Sequence, residues 1–473
     1  MAKRHQKTRD EPGSDAPVAD RRLAVRIWRS IFRTPLTPGS ERERKRVVLN
    51  HLVLHLRPVR LPAATLRYTH TFGLGGMSLV LIVLLMLTGI LLMFVYEPAP
   101  GKAYESVVTL RETVRFGGLV RNVHHWSANL LVLVVFLHLL RTYFTGAFHG
   151  PRQFNWVIGV LLLLAVLAAN FTGYLLPWDQ LSYWATTIVT GMLGYVPVLG
   201  EWLQRVARGG EDIGGPALIN FYTFHTSVIP VLLIALMAFH FWRVRKAGGV
   251  VVPRDYGAEQ DDKPATVLFV PDLLLREFVV GIVLVACVML FSALVDARLG
   301  DPANAGMSPN PAKAPWYFLG IQELLLHFHP LFAVVLIPAA GLLALLALPY
   351  LDYGGETSGP WFLTATGRRT VVLAALTALI ITPIWVVLDE HVLDRAGWMP
   401  GVPPVVRDGL LPASILLAGL AAFRMYLVRR CGTSRAETVQ ALFALLAVAL
   451  VVLTVTGVWF RGSGMALAWP WGA

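Results

Sequence analysis

The sequence predicts an all-α protein, a polytopic transmembrane helical bundle of about nine spans. Three observations predict it. Of the 473 residues, 55% are hydrophobic and only 15% are charged, against roughly 25% charged in a soluble domain. Several apolar runs approach the ~20 residues that cross a hydrocarbon core. The formal net charge of +12 gathers ahead of the first such run, where residues 1–70 hold 16 Lys/Arg against 6 Asp/Glu. This excess reads as the cytoplasmic flank of a membrane protein, so no nucleic-acid partner is expected.

The elements follow in order. Residues 1–45 form a polar, basic extension that is expected to be largely disordered; within it, "RRLAVRIWRSIF" (21–32) is amphipathic. A second amphipathic stretch, "RVVLNHLVLHL" (46–56), follows, and both suit a membrane surface. No signal-peptide pattern precedes the first long apolar run near residue 71. The nine spans are expected near 71–95, 121–143, 154–175, 219–242, 274–295, 330–349, 370–388, 410–428 and 438–460. A polar linker, 246–272, separates a front unit (46–245) from a back unit (273–390), and 391–473 carries the last two spans. Basic residues cluster in alternate loops, which places the N-terminus in the cytoplasm and the C-terminus outside.

Cysteine usage excludes some redox chemistry. With only Cys287 and Cys431, and no CxxCH, the chain lacks four thiolates for an iron–sulfur cluster and the usual c-type haem attachment.

The informative pattern is histidine spacing. His124 and His138 are separated by fourteen residues in the second span. That separation turns a helix through about 1400°, roughly 40° short of four turns, and advances it about 21 Å. Both side chains therefore share a face, whereas His125 lies about 100° round from His124. In the fourth span His225 and His240 are fifteen residues apart, about 60° past four turns, and Pro230 between them can kink the helix and absorb the excess. The two spans run in the same direction. His124 thus faces His225 at the outer side and His138 faces His240 at the inner side. Two imidazoles at each of two depths suit axial ligation of two low-spin b-type haems. A single intramembrane histidine would read as a hydrogen-bonded interior residue; four at matched spacing do not. Gly75 and Gly89 in the first span, and Gly159 and Gly173 in the third, repeat the fourteen-residue step. Glycine permits a porphyrin to approach the backbone; taken alone, such pairs also serve ordinary helix packing.

The segments "RNVHHWSANLLVLVVFLHLLRTYFTGAFHGPRQFNWVIGV", "FTGYLLPWDQLSYWATTIVTG" and "FYTFHTSVIPVLLIALMAFHF" resemble cytochrome b of the bc and b6f complexes. The fifteen-residue histidine step resembles the b6f type. "PDLLLREF" and "NPAKAPWYFLGIQELL" resemble its subunit IV, here fused behind a b6-like front half. The resemblance covers roughly residues 45–390. It implies a quinol–cytochrome c (or other acceptor) reductase that oxidises quinol at the outer face and passes electrons to a Rieske iron–sulfur protein and onward to a cytochrome c-type carrier. A second electron crosses the two haems to an inner quinone site, with proton translocation. It also implies a homodimer in membrane lipid. Arg121, Arg141, Arg152, Arg245 and Lys246 match or neighbour basic residues that lie near haem propionates or the inner quinone site in that family; positive-inside anchoring is the competing account.

Three departures stand out, the plainest being that the last two spans exceed the seven of the split b6f arrangement. The family's Pro-Glu-Trp-Tyr motif is Ala314-Pro315-Trp316-Tyr317 here. Trp316 and Tyr317 are retained, but proline replaces the proton-accepting glutamate. Glu323 is the candidate replacement, as a carboxylate of raised pKa in a partly dry site, with His327 and His329 as others; a salt bridge is the plainer account of Glu323. The b6f cysteine that holds an extra haem covalently is Gly73 here, so no covalent c-type haem is expected. Two rival classes are a haem-bearing membrane anchor that relays electrons between the quinone pool and a bound dehydrogenase or reductase, and a transporter using intramembrane polar residues.

Overall fold

The computed structural model describes Leu23, Ile27 and Ser30 and residues 60–256, 265–268, 272–355 and 358–470. The stretch 46–56, most of 1–45 and part of the linker lie outside the described residues. Nine described helices are long and apolar enough to cross a membrane: α1 (Leu74–Met93), α3 (Gly117–Phe144), α4 (Gln153–Tyr174), α7 (Gly215–Lys246), α8 (Leu274–Leu294), α10 (Leu331–Tyr350), α11 (Ala365–His391), α12 (Val405–Cys431) and α13 (Arg435–Trp459). Each corresponds to one expected span. Several extend beyond the apolar run because helical backbone satisfies its own hydrogen bonds and continues into polar ends. Shorter helices fill the connections: α2 (Ala103–Glu112), α5 (Gln180–Met192), α6 (Gly200–Arg208) and α9 (Trp316–His327).

Helix α1 packs on α3 and α4 on α7, and α8 lies against α1 and α3. Their shared core contains Leu81, Val123, Leu131, Val166, Leu233 and Val288. The back unit forms a second group in which α13 packs on both α11 and α9. The last span is therefore part of this scaffold, while α12 sits at its margin and exposes Leu417, Ile415 and Met425. A two-stranded antiparallel pair, β1 (Arg60–Pro62) with β2 (Thr266–Leu268), ties the approach to α1 to the end of the linker, with Leu61 opposite Val267.

The start of α13 is fixed locally. Ser434 and Glu437 form a reciprocal capping box, and Thr364 at the head of α11 also bonds Glu437. Such a cap contributes about 1 kcal/mol.

Helix α7 resolves the awkward fifteen-residue step. Residues Phe224–Val228 form a π-turn just before Pro230. A π-turn accommodates one extra residue, so His225 and His240 regain the phase of a fourteen-residue separation. The expected proline kink is thus realised as a bulge at the histidine itself.

Candidate functional site

The four histidines converge at two levels. At the first, the His124 and His225 rings lie 6.1 Å apart between centroids. Two imidazole–metal bonds of about 2 Å, with the ring radii, separate centroids by roughly 6 Å, so the gap suits one metal atom. The ring orientations are also fixed. Thr88 Oγ1 donates to the Leu84 carbonyl at 2.7 Å and therefore accepts from His124 Nδ1 at 2.9 Å. The Ala169 carbonyl accepts from His225 Nδ1 at 2.9 Å. Each Nε2 is left as a free lone pair, the tautomer a metal-ligating histidine needs. At the second level, His138 and His240 line one cavity together with Gly75, Gly159, Arg141 and Arg152.

The glycines sit where the spacing placed them, and their neighbours are the histidines. A Cβ on Gly89 would lie 3.3 Å from His124 Cε1, and one on Gly173 would lie 2.5 Å from His225 Cε1. At the other level, Gly75 and Gly159 face His138 and His240 at 3.4 and 3.7 Å. Among the described residues, no three His, Cys, Asp or Glu side chains cluster as a metal site. Paired histidines beside glycine clefts fit haem, whose macrocycle supplies the other four ligands.

The basic residues divide. Arg141 donates from Nε to the His70 carbonyl at 2.8 Å, and its buried Nη2 has no partner beside the second-level cavity. That orphan donor fits a carboxylate such as a propionate. Burial is the main cause that lowers the pKa of His70, to about 4, ahead of the nearby Arg141 charge. Arg152 donates to the carbonyls of Ala247 and Gly249 at 3.0 and 3.1 Å while lining the same cavity. Arg245 also keeps a buried, unpartnered Nη1, and Lys246 closes α7. Arg121 is different: it donates to the carbonyls of Ala297 at 2.6 Å and Arg298 at 3.0 Å, pinning the loop after α8 to α3. Those two bonds use two of its five N–H donors.

His125 is turned away from both pairs. Its ring stacks edge-on with Trp126, and Asn129 Nδ2 approaches its Nε2 at 3.3 Å. Asn129 Oδ1 in turn accepts from Trp316 Nε1 at 2.7 Å. The motif at the head of α9 thus abuts the first histidine level. Pro315 caps that helix, where a missing N–H costs nothing. Tyr317 packs against the α1–α3–α4–α7 core with a buried, unpartnered hydroxyl. The "PWDQLSYW" segment braces the approach: Asp179 caps α5 and accepts from Gly300 N at 2.8 Å, and Gln180 Oε1 accepts from Asn304 N at 2.7 Å.

Glu323 departs from expectation. It is fully buried and held by Arg461, whose Nε lies 3.0 Å from both carboxylate oxygens, and by His327 Nε2 at 3.3 Å. Burial favours the neutral acid, but the hydrogen bonds from His327 and Arg461 prevail and hold its pKa below the usual carboxylate range. The raised pKa is therefore corrected, and the salt bridge is what the structure contains. The main partner of Glu323, Arg461, lies just beyond α13. Burial opposes the charge on His327, yet Asp389 at 2.7 Å and Glu323 keep its pKa above the ordinary value. His329 serves the backbone, its Nδ1 accepting from Leu331 N at 3.3 Å. Gly73 adopts a left-handed conformation (φ 67°) as the cap of α1, which explains glycine there in backbone terms.

Comparison with known proteins agrees with this geometry. The family profile Cytochrome b/b6/petB matches residues 61–248. Cytochrome b6 of Heliomicrobium gestii is 42% identical over 200 residues, 42% of this chain and 93% of that protein. Cytochrome b6 of Prochlorococcus marinus (strain NATL1A) is 44% identical over 177 residues, 37% of this chain and 81% of that protein. A chain of the solved structure "Hyperthermophilic respiratory Complex III" superposes with a TM-score of 0.60 at 21% identity, over 87% of this chain and 96% of that one, and speaks for the fold. The chain belongs to the cytochrome b family and is an integral membrane, b-type-haem-binding electron-transfer subunit of the bc type.

Proposed function

We propose that this chain is the diheme cytochrome b subunit of a Rieske/cytochrome b complex, oxidising quinol at the outer face and carrying electrons to an inner quinone site. The observation that carries the proposal is the doubled site: two histidine pairs at two depths, each bordered by its own glycine pair. His124 and His225 hold the outer haem, and His138 and His240 the inner one. When bound, the haems supply one-electron carriers at two depths. The chain's residues do the rest. Thr88 and the Ala169 carbonyl orient the outer imidazoles. Arg141 offers a cation to a carboxylate at the inner level, joined there by Arg152, Arg245 and Lys246. Trp316 and Tyr317 form the wall of the outer quinol site nearest the first histidine level, and the free Tyr317 hydroxyl is available to a quinol oxygen.

On this reading 46–245 is the haem unit, 246–272 a linker, 273–390 the quinol-site unit and 391–473 an added helical pair. The complex sits as a homodimer in a bacterial cytoplasmic membrane with the N-terminus inside. A Rieske protein and a cytochrome c-type carrier take the other electron. No thioether-linked haem is expected, since Gly73 has no thiol.

The test is bifurcation. Membranes holding the complex are given quinol and then a pulse of oxidant for the Rieske partner. The expected result is that the b haems become more reduced as the oxidant arrives. A haem-bearing anchor serving a bound dehydrogenase shows oxidation alone, which would falsify the proposal.

A further inference from the structure

The last span and its tail grip the quinol-motif segment along its length. Asn310 Oδ1 accepts from Gly464 N, and Lys313 Nζ donates to the Val458 carbonyl at 3.0 Å. Gly320 lies against Thr454 and Leu450, and Gly457 against Leu319, so α9 and α13 approach closely at both glycines. Beyond them Arg461 pairs with Glu323 and, on its other side, with Glu390 of α11. Arg461 and Glu323 are 4% and 0% exposed. A buried charge stripped of its partner is strongly destabilised, so this pairing admits one register between α9 and the tail.

Helix α9 transmits that register. Gln322 spans the turn before it, its Oε1 accepting from Ala314 N at 2.7 Å and its Nε2 donating to the Ala312 carbonyl at 2.9 Å. Residues 312–314 are thereby fixed to the face that Arg461 holds. At its N-terminal end the helix carries Trp316 and Tyr317 toward α3 and the haem unit. A rotation or slide of α9 against α13 moves both side chains.

We propose that Arg461 and Lys313 are positioning residues for the outer quinol site, and that the added final span exists in this chain to set the place of Trp316 and Tyr317. The inference rests on the quinol-oxidation reading above. It gives α13 and its tail a task that the front-half histidines do not need.

The intact complex is compared with Arg461→Gln, Arg461→Lys and Lys313→Gln versions, measuring quinol KM and kcat, haem content, and hydrogen exchange of residues 310–317. Small displacements of positioning groups have large kinetic effects. The expected result is a KM raised roughly tenfold in Arg461→Gln, with both haems retained and exchange across 310–317 increased. Arg461→Lys, which keeps the charge, recovers most of the wild-type KM. Lys313→Gln shifts KM in the same direction with the Glu323 pair intact. Unchanged KM and exchange in a haem-loaded Arg461→Gln complex overturn the proposal. If that variant does not assemble, an unchanged KM in Lys313→Gln overturns it instead. A wild-type complex that does not oxidise quinol fails at the earlier reading, and is told apart by having no KM to shift.

Discussion

Replacing His124 by leucine is expected to remove one of the two proposed haems, whereas replacing the adjacent His125 is expected to remove neither. The two residues differ in which face of α3 they occupy. His124 is oriented by Thr88 and faces His225 across 6.1 Å. His125 packs on Trp126 and meets Asn129. A b haem that loses one of two axial nitrogens in a helical bundle loses its low-spin site and its retention. Haem per polypeptide therefore falls from two to one in His124→Leu and stays at two in His125→Leu. Pyridine haemochrome analysis of purified protein reads both. A His125→Leu protein short of one haem contradicts the assignment.

Gly173→Ala is expected to damage the same outer site through a single methyl group. The added carbon would lie 2.5 Å from His225 Cε1, and 3.0 Å from its Nδ1, closer than unstrained atoms approach. The imidazole has no slack, since its Nδ1 is committed to the Ala169 carbonyl. Either the ring leaves its bond or the helices part. Occupancy of the outer haem should fall severalfold. Gly159→Ala is the matched control: its methyl would meet His240 Cε1 at 3.7 Å, an ordinary contact, and both haems should persist. Redox-difference spectra of the two variants decide the matter. Equal loss in both would mean that the glycine step reports general helix packing.

The parts of this molecule legible in the sequence are those set by helical period and by lipid. Nine apolar runs became nine helices because backbone in a hydrocarbon core has few other ways to satisfy its hydrogen bonds. The approach of His124 to His225 followed from residues per turn and from the shared direction of the two spans. The π-turn at Phe224–Val228 did not, since a bulge breaks the period on which the reading depends, though the proximity of Pro230 and the fifteenth residue were its signals. Arg121 illustrates another limit. Charge and position made it a propionate candidate, and its bonds to the carbonyls of Ala297 and Arg298, far away in sequence, were not foreseen. For Glu323 a salt bridge was the plainer expectation, but its partner was not legible. Its partner Arg461 is 138 residues on, beyond the last span, where a lone arginine carries no periodic mark. Asn129, four residues after His125, was similarly silent until Trp316 was seen to bond it.

The most direct measurement is a redox titration of the purified chain with each ligand histidine replaced singly. Two bis-imidazole components are predicted for the unmodified protein. His124→Leu and His225→Leu should delete the same component, and His138→Leu and His240→Leu the other. A single component in the unmodified protein, or a loss pattern that pairs His124 with His240, would contradict the two-level arrangement on which the whole functional account stands.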